Sequence, residues 1–285
     1  MTTTVRKTIL GAFDGLSPKQ RKLARFLMDD EEVAAFASAN EIASRVGVSP
    51  ATVVRFARSL GYDGYPTLQQ AVRAEFPQFR TVAQKMADRL ADSPGTENLA
   101  QQVARASDHD VRATLARVTQ ADLDSAIRAI IAADQIYIFG SGLSAAAATL
   151  AEYTLTLLGF NARAFHNEGV SQALQLSHLT ARDTIIVFSI WRYIRSSVAA
   201  AEAARDAGAT VIALTDSSVS PVAGLAHTVF VAETAGAAHS RSLAGLLSIV
   251  DLLGAAIAAK RPQESIAAVE RLDGLFRKNN LLLSD

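Results

Sequence analysis

The stretch Ala39-Asn-Glu-Ile-Ala-Ser-Arg-Val-Gly-Val-Ser-Pro-Ala-Thr-Val-Val-Arg-Phe-Ala-Arg-Ser-Leu60 spells two short helices around one tight turn. Crossing helices need a small residue at their point of contact, and Ala43 supplies it. The turn needs a residue that tolerates positive φ four positions later, and Gly47 supplies that. Ile42, Val46, Val48, Val53 and Phe56 fall at the inward positions that lock the pair together. Ser49-Pro50 opens the second helix with a cap and a proline at its first position, and Gly61 closes it. Ser49, Ala51, Thr52, Arg55 and Arg58 are expected on the solvent face of that second helix. Small polar groups at a helix N-terminus suit close approach to phosphates and base edges, and arginines reach phosphate or guanine. The alternative is an amphipathic hairpin with no ligand.

Around this stretch the first 75 residues keep the same texture of short, punctuated helices. Ser17-Pro18 repeats the cap-plus-proline signal, with Leu16, Leu23, Phe26 and Leu27 as a helical stripe. Asn40 is expected to cap the next helix, and Gly64-Tyr65-Pro66 to make a turn. Residues 78–110 are polar and interrupted by Asp92-Ser93-Pro94-Gly95, as a connection between domains would be. The predicted organisation is therefore 1–77 as a helix-turn-helix domain, 78–110 as a helical linker and 111–285 as a second domain.

The texture changes from Ala133 onward. Ile136-Tyr-Ile-Phe139, Asn161 to Phe165, Thr184-Ile-Ile-Val-Phe-Ser189, Thr210-Val-Ile-Ala-Leu-Thr215 and Thr228-Val-Phe-Val231 read as strands, most of them continuous apolar runs. Such runs are buried on both faces, as in a parallel sheet. Leu143 to Leu158 and Ile194 to Ala207 are helical and alanine-rich. Strand and helix in alternation predict βαβ units, so the fold class is mixed: an all-α reader followed by an α/β domain.

Carboxyl ends of parallel strands are where such sheets bind ligands. Gly140-Ser-Gly-Leu-Ser144 follows the first strand, and its glycines allow a tight turn into a helix N-terminus. Ser141, Ser144, Ser189, Arg192, Tyr193 and Thr215 are the candidate binding residues, suited to a small anion. Gly140, Gly142 and Ala145 also fit the dinucleotide pattern G-x-G-x-x-A. The strand that should then end in a ribose-binding acid ends instead in His166-Asn167, with Glu168 only later.

Composition narrows the classes further. The chain has 285 residues, no cysteine, and 28 basic against 28 acidic side chains. Absence of cysteine excludes disulfides, thiolate metal sites and cysteine nucleophiles. The net charge of zero conceals an asymmetry. Residues 1–80 carry 11 Lys and Arg against 8 Asp and Glu, and residues 81–285 carry 17 against 20, so the two parts hold +3 and −3. His109, His166, His178, His227 and His239 never stand at metal-ligand spacing. No catalytic residue, metal or cofactor is assigned, although Glu168 and His239 are the nominal bases if the second domain were an isomerase. The start of the chain lacks the apolar segment of a signal peptide. Ser242 to Ala259 is apolar, but Asp251 lies at its centre, which favours a core or subunit-interface helix over a membrane span. A cytoplasmic protein is expected.

Together these motifs resemble the RpiR/MurR family of bacterial transcription regulators. The resemblance rests on Val48-Ser-Pro-Ala-Thr-Val-Val-Arg-Phe56 with Leu60-Gly-Tyr62, Phe139-Gly-Ser-Gly-Leu-Ser144, Ala204 to Thr215, Ser220-Pro221 and Ser240-Arg241. It implies an N-terminal DNA reader joined to a SIS (sugar isomerase) domain that senses sugar phosphates or related metabolites. It also implies a homodimer or homotetramer acting on operator DNA. Ser49, Thr52 and Arg55 would then lie in the recognition helix, and Ser141 and Ser144 in the first ligand loop. The family's second loop, S-x-S-G-x-T, reads Ser189-Ile-Trp-Arg-Tyr-Ile194 here. A fixed cation at Arg192 replaces small donors and widens the expected effector to an anionic metabolite, whether a phosphate or a carboxylate. A sugar-phosphate isomerase and a dinucleotide-sensing regulator are the alternatives.

Overall fold

Two compact units divide the chain, Met1–Pro94 and Gly95–Asp285, and the computed structural model describes residues 4–29, 31–75, 98–190, 193–236 and 241–281. The described part of the first unit is helical: α1 Thr4–Ala12, α2 Pro18–Asp29, α3 Glu31–Phe36, α4 Ala39–Val46, α5 Pro50–Ser59 and α6 Tyr65–Glu75. Its helices start where local chemistry satisfies their first amides. The Ser17 hydroxyl accepts from the Gln20 amide at 3.4 Å while the Gln20 side chain accepts from the Ser17 amide at 3.0 Å. This reciprocal arrangement recurs at α4 between Ser38 and Glu41. The cap of α4 is therefore Ser38 and not Asn40, which lies one residue inside the helix. The reason is the Glu three positions after Ser38, which returns a carboxylate to the Ser38 amide and lies below the usual glutamate pKa because of that bond.

The amphipathic faces of these helices close on one core. Leu23, Ile42, Val53, Phe56 and Leu68 are fully buried. Tyr65, expected in a turn, instead begins α6 and buries its ring. Its hydroxyl donates toward the carbonyls of Ala37 at 2.9 Å and Ala34 at 3.2 Å, and burial pushes its pKa up to about 12. Those carbonyls close α3, so Tyr65 ties the sixth helix to the third.

The second unit alternates as its sequence predicts. It contains α7 Leu99–Leu115, α8 Gln120–Ala132, β1 Ile136–Gly140, α9 Ser144–Leu157, β2 Ala162–Phe165, α10 Val170–Leu176, β3 Thr184–Ser189, α11 Arg195–Asp206, β4 Thr210–Thr215, β5 Thr228–Val231, α12 Ala244–Lys260 and α13 Pro262–Lys278. The strands form one parallel sheet in the order β2-β1-β3-β4-β5. Their apolar runs serve two cores by alternation. Ile186, Phe188, Ile212 and Leu214 pack with α8, α9 and α12 on one face. Ile185, Val187, Val211 and Ala213 pack with Ala200, Ala201 and Ala204 of α11 on the other.

The apolar helix α12 belongs to the first of these cores, through Leu246, Ile249, Val250, Leu253 and Ile257. Asp251 stays exposed, and Lys260 pairs with Asp124 of α8 at 3.1 Å. Among the described residues no helix is long and apolar enough to cross a membrane. The helix starts against α7: a Cβ at Gly245 would collide with the Thr114 hydroxyl and lie 2.6 Å from the Glu233 carbonyl. Of the stretch 78–110 read as a connection, residues 78–97 lie outside the described residues. Residues 99–110 form most of α7 within the second unit, with Asp110 fully buried.

Candidate functional site

In the first unit the two helices of the turn are built as their spacing demands. Gly47 closes α4 with φ +73°, and the amide of Val48 donates to the Ala43 carbonyl at 2.9 Å. Ala43, Ile42, Val53 and Phe56 are buried, whereas Val46 and Val48 are only half-buried. Ser49 caps α5, accepting from the Thr52 amide at 3.3 Å. Ser49, Ala51, Arg55 and Arg58 are exposed on α5. Thr52 is not: it is 8% exposed, and its hydroxyl lies 2.8 Å from that of Ser49 and accepts from Arg55 Nη2 at 3.4 Å. The threonine therefore orients its two exposed neighbours. Arg58 is turned back on the Asp63 carbonyl through Nε at 3.2 Å. The side chains of Arg55 and Arg58 and the Ser49 cap thus all belong to the ten-residue α5 and its N-terminus.

In the second unit the candidate effector residues gather at the carboxyl edge of the sheet. The order β2-β1-β3-β4-β5 reverses direction between β1 and β3, and crevices at such reversals are where parallel sheets bind ligands. Gly140 ends β1 because nothing larger fits. A Cβ there would lie 2.5 Å from the Ser144 carbonyl oxygen and 3.0 Å from the Ala148 methyl. Gly142 turns the chain with φ +59°. The first amides of α9 are engaged: Ser144 donates to Ser141 O, Ala145 to Gly142 O and Ala146 to Leu143 O, at 3.2, 3.2 and 3.4 Å. The helix end expected to offer them freely is a tightened first turn instead.

Side chains supply the polar groups at this edge. Ser189 and Thr215 are register partners at the ends of β3 and β4, so they point to the same face. Both are buried, and Ser189 Oγ and Thr215 Oγ1 have no hydrogen-bond partner among the described residues. Ser220 Oγ, on the loop after β4, is a third such hydroxyl. Ser141 Oγ donates to Glu168 Oε1 at 2.8 Å, and Ser196 Oγ donates to the same oxygen at 3.0 Å. His166 Nδ1 lies 2.8 Å from Gly140 O, and its Nε2 lies 3.3 Å from Thr149 Oγ1. Tyr193 donates its hydroxyl to Asp216 Oδ1 at 2.9 Å, and Arg241 Nη1 binds Asp216 Oδ2 at 2.7 Å. The Arg241 guanidinium also reaches the Thr234 hydroxyl. Arg192, Trp191, His239 and Ser240 lie outside the described residues. Among the described residues no group of His, Asp or Glu comes together as a metal-ligand set.

Ser141, Ser144, Ser189, Tyr193 and Thr215 all stand at or just beyond the carboxyl ends of β1, β3 and β4, with Ser189 and Thr215 side by side. Three further contributors are not among the candidate binding residues. Ser196 sits in the first turn of α11, while Asp216 and Arg241 meet across 25 positions of sequence. The dinucleotide pattern loses its support here, because no acid ends β2 and Glu168 is committed to two serines.

A helix-turn-helix unit joined to a ligand-edge α/β unit defines a class of two-domain transcription regulators, and comparison with known proteins agrees. Residues 4–78 match the helix-turn-helix domain of the rpiR family, and residues 129–258 match the SIS domain. The sugar isomerase domain of the RpiR transcription factor from Sphaerobacter thermophilus is 36% identical, with 62% of this chain and 99% of that one covered and a TM-score of 0.61. The Vibrio vulnificus NanR protein, complexed with ManNAc-6P, superimposes over 99% of this chain and 100% of its own, at 21% identity and a TM-score of 0.69. The chain belongs to the RpiR family of transcription regulators.

Proposed function

We propose that the second unit binds a small phosphorylated sugar or a related sugar acid at the carboxyl edge of its sheet, and that this binding controls DNA recognition by α5. The observation that carries the effector reading is the pair Ser189 and Thr215. A buried hydroxyl without a partner costs roughly 1–3 kcal/mol, and two at adjacent strand ends imply an acceptor-rich ligand that completes them. The ManNAc-6P held by NanR supports the phosphorylated-sugar class. Exposed Ser49, Ala51, Arg55 and Arg58 support phosphate and base contact by α5, with Thr52 orienting Ser49 and Arg55. The chain is read as a cytoplasmic homodimer or homotetramer that senses its ligand without turning it over. Of the two nominal isomerase bases, Glu168 accepts from two serines and His239 lies outside the described residues, so the sensor reading is supported by the helix-turn-helix domain.

A melting-temperature screen of sugar phosphates, sugar acids and nucleotides tests this. A ligand at 100 times its dissociation constant adds about 2.7 kcal/mol of stability. For a unit of this size that raises the melting temperature by roughly 5–10 °C. The same ligand should shift Ser189→Ala and Thr215→Val by much less. Stabilisation by NADH in place of any sugar derivative, or conversion of the sugar phosphate followed by NMR, would overturn the assignment.

A further inference from the structure

An anion at this edge would find two of the serine donors already occupied. Each serine hydroxyl carries one hydrogen. Ser141 spends its hydrogen on Glu168 Oε1 at 2.8 Å, and Ser196 spends its own on the same oxygen at 3.0 Å. These donors come from the loop after β1 and from the first turn of α11, after β3. Glu168 reaches them from the loop after β2. A carboxylate on the outer strand's loop therefore lies across the reversal between β1 and β3, joined to hydroxyls on both sides of it.

The placement is economical in chain geometry. Gly169 follows with φ 65° and ψ −133°, a conformation open to glycine alone, so the chain turns sharply just after the carboxylate. Glu168 itself is exposed, whereas Ser196 is 7% exposed. Beyond Gly169, the buried Gln172 of α10 donates to the Ser196 carbonyl at 2.7 Å. The loop after β2 thus meets the hydroxyl of Ser196 in the first turn of α11, and α10 meets the carbonyl of the same residue. On the same edge, Ser189 and Thr215 keep their hydroxyls unpartnered.

We infer that Glu168 is an internal competitor for the effector's anionic group, holding Ser141 and Ser196 until the ligand displaces it. The inference rests on the proposed anion-binding role of the edge. A phosphate or carboxylate cannot take those two hydrogens while Oε1 holds them, and its charge opposes that of Glu168. Binding then requires the carboxylate to swing away about Gly169, which releases the hydroxyl contact between the β2 loop and α11 and leaves the Gln172 contact to the Ser196 carbonyl in place. The site is selective by construction, because a neutral sugar offers no charge to replace the one it would have to expel.

Calorimetric titration of the full chain with inorganic phosphate, and separately with ManNAc-6P, tests this in the wild type, Glu168→Gln and Glu168→Ala. Removing a like charge at contact distance should tighten both ligands about tenfold in Glu168→Ala. Glu168→Gln, which keeps an acceptor but loses the charge, should fall between that variant and the wild type. Because Glu168 is exposed, both variants should melt within a few degrees of the parent. If the wild type binds these anions and both variants bind them equally or more weakly, Glu168 is not a competitor, while the anion reading stands. If no protein binds either anion at millimolar concentration, the anion reading itself falls and the inference falls with it.

Discussion

Asp216→Ala is expected to lower the melting temperature of the second unit by roughly 6–20 °C, the equivalent of about 3–5 kcal/mol. Asp216 sits just beyond β4 with its side chain 3% exposed, and its partner Arg241 is 14% exposed. One carboxylate oxygen takes Arg241 Nη1 at 2.7 Å, and the other takes the Tyr193 hydroxyl at 2.9 Å. The pair as a whole contributes little net stability, since desolvating two charges offsets most of their attraction. Deleting one member is different, because a mostly enclosed guanidinium is left without the carboxylate it pairs with. The double variant Asp216→Ala/Arg241→Ala should therefore be less damaged than the two single effects added together. Scanning calorimetry of the four proteins measures the coupling. A single variant within about 1 kcal/mol of the parent, or strictly additive losses, would show that the pair is not a buried ionic clasp.

Gly140→Ala should destabilise the second unit by about 1–3 kcal/mol and abolish effector binding. The new methyl would lie 2.5 Å from the Ser144 carbonyl oxygen and 2.9 Å from its carbon, both rigid backbone atoms of the first turn of α9. Relief requires α9 to retreat from β1, which displaces Ser141 and Ser144 together. Gly142→Ala is the instructive contrast. Its methyl meets nothing within 4 Å, and the cost is only the left-handed backbone at φ +59°, roughly 1–2 kcal/mol. Gly142→Ala should therefore bind effector measurably where Gly140→Ala does not. Equal retention of binding by both variants would contradict the steric account of the turn.

The strands were legible because each apolar run had to feed two cores at once, and a run such as Ile185-Ile186-Val187-Phe188 has no other economical use. The turn between α4 and α5 was legible because Ala43 and Gly47 answer to local sterics alone. The misplaced cap at Asn40 was readable in principle, since Ser38 stands three residues before Glu41 and the pair forms the reciprocal bond. Thr52 is expected to be exposed from its position on the helix. Its hydroxyl instead folds back onto the Ser49 cap, an interaction that a helical pattern does not encode. The edge contacts lay further out of reach. Glu168 and Ser141 come from two loops and Ser196 from the first turn of α11, and Asp216 meets Arg241 only after the chain has passed through β5. Register and loop closure bring those groups together, and both emerge only in three dimensions.

Fluorescence anisotropy of the full chain on DNA from upstream of its own gene, with and without a stabilising sugar phosphate, tests the central claim most directly. Specific binding should weaken steeply as salt rises, with a smaller salt slope when Arg55 and Arg58 are replaced by alanine. The effector should change DNA affinity by about 5–150-fold, the usual range of coupling between linked sites. An effector that raises the melting temperature of the second unit yet leaves DNA affinity unchanged at every salt concentration would contradict the proposed control of DNA recognition by ligand.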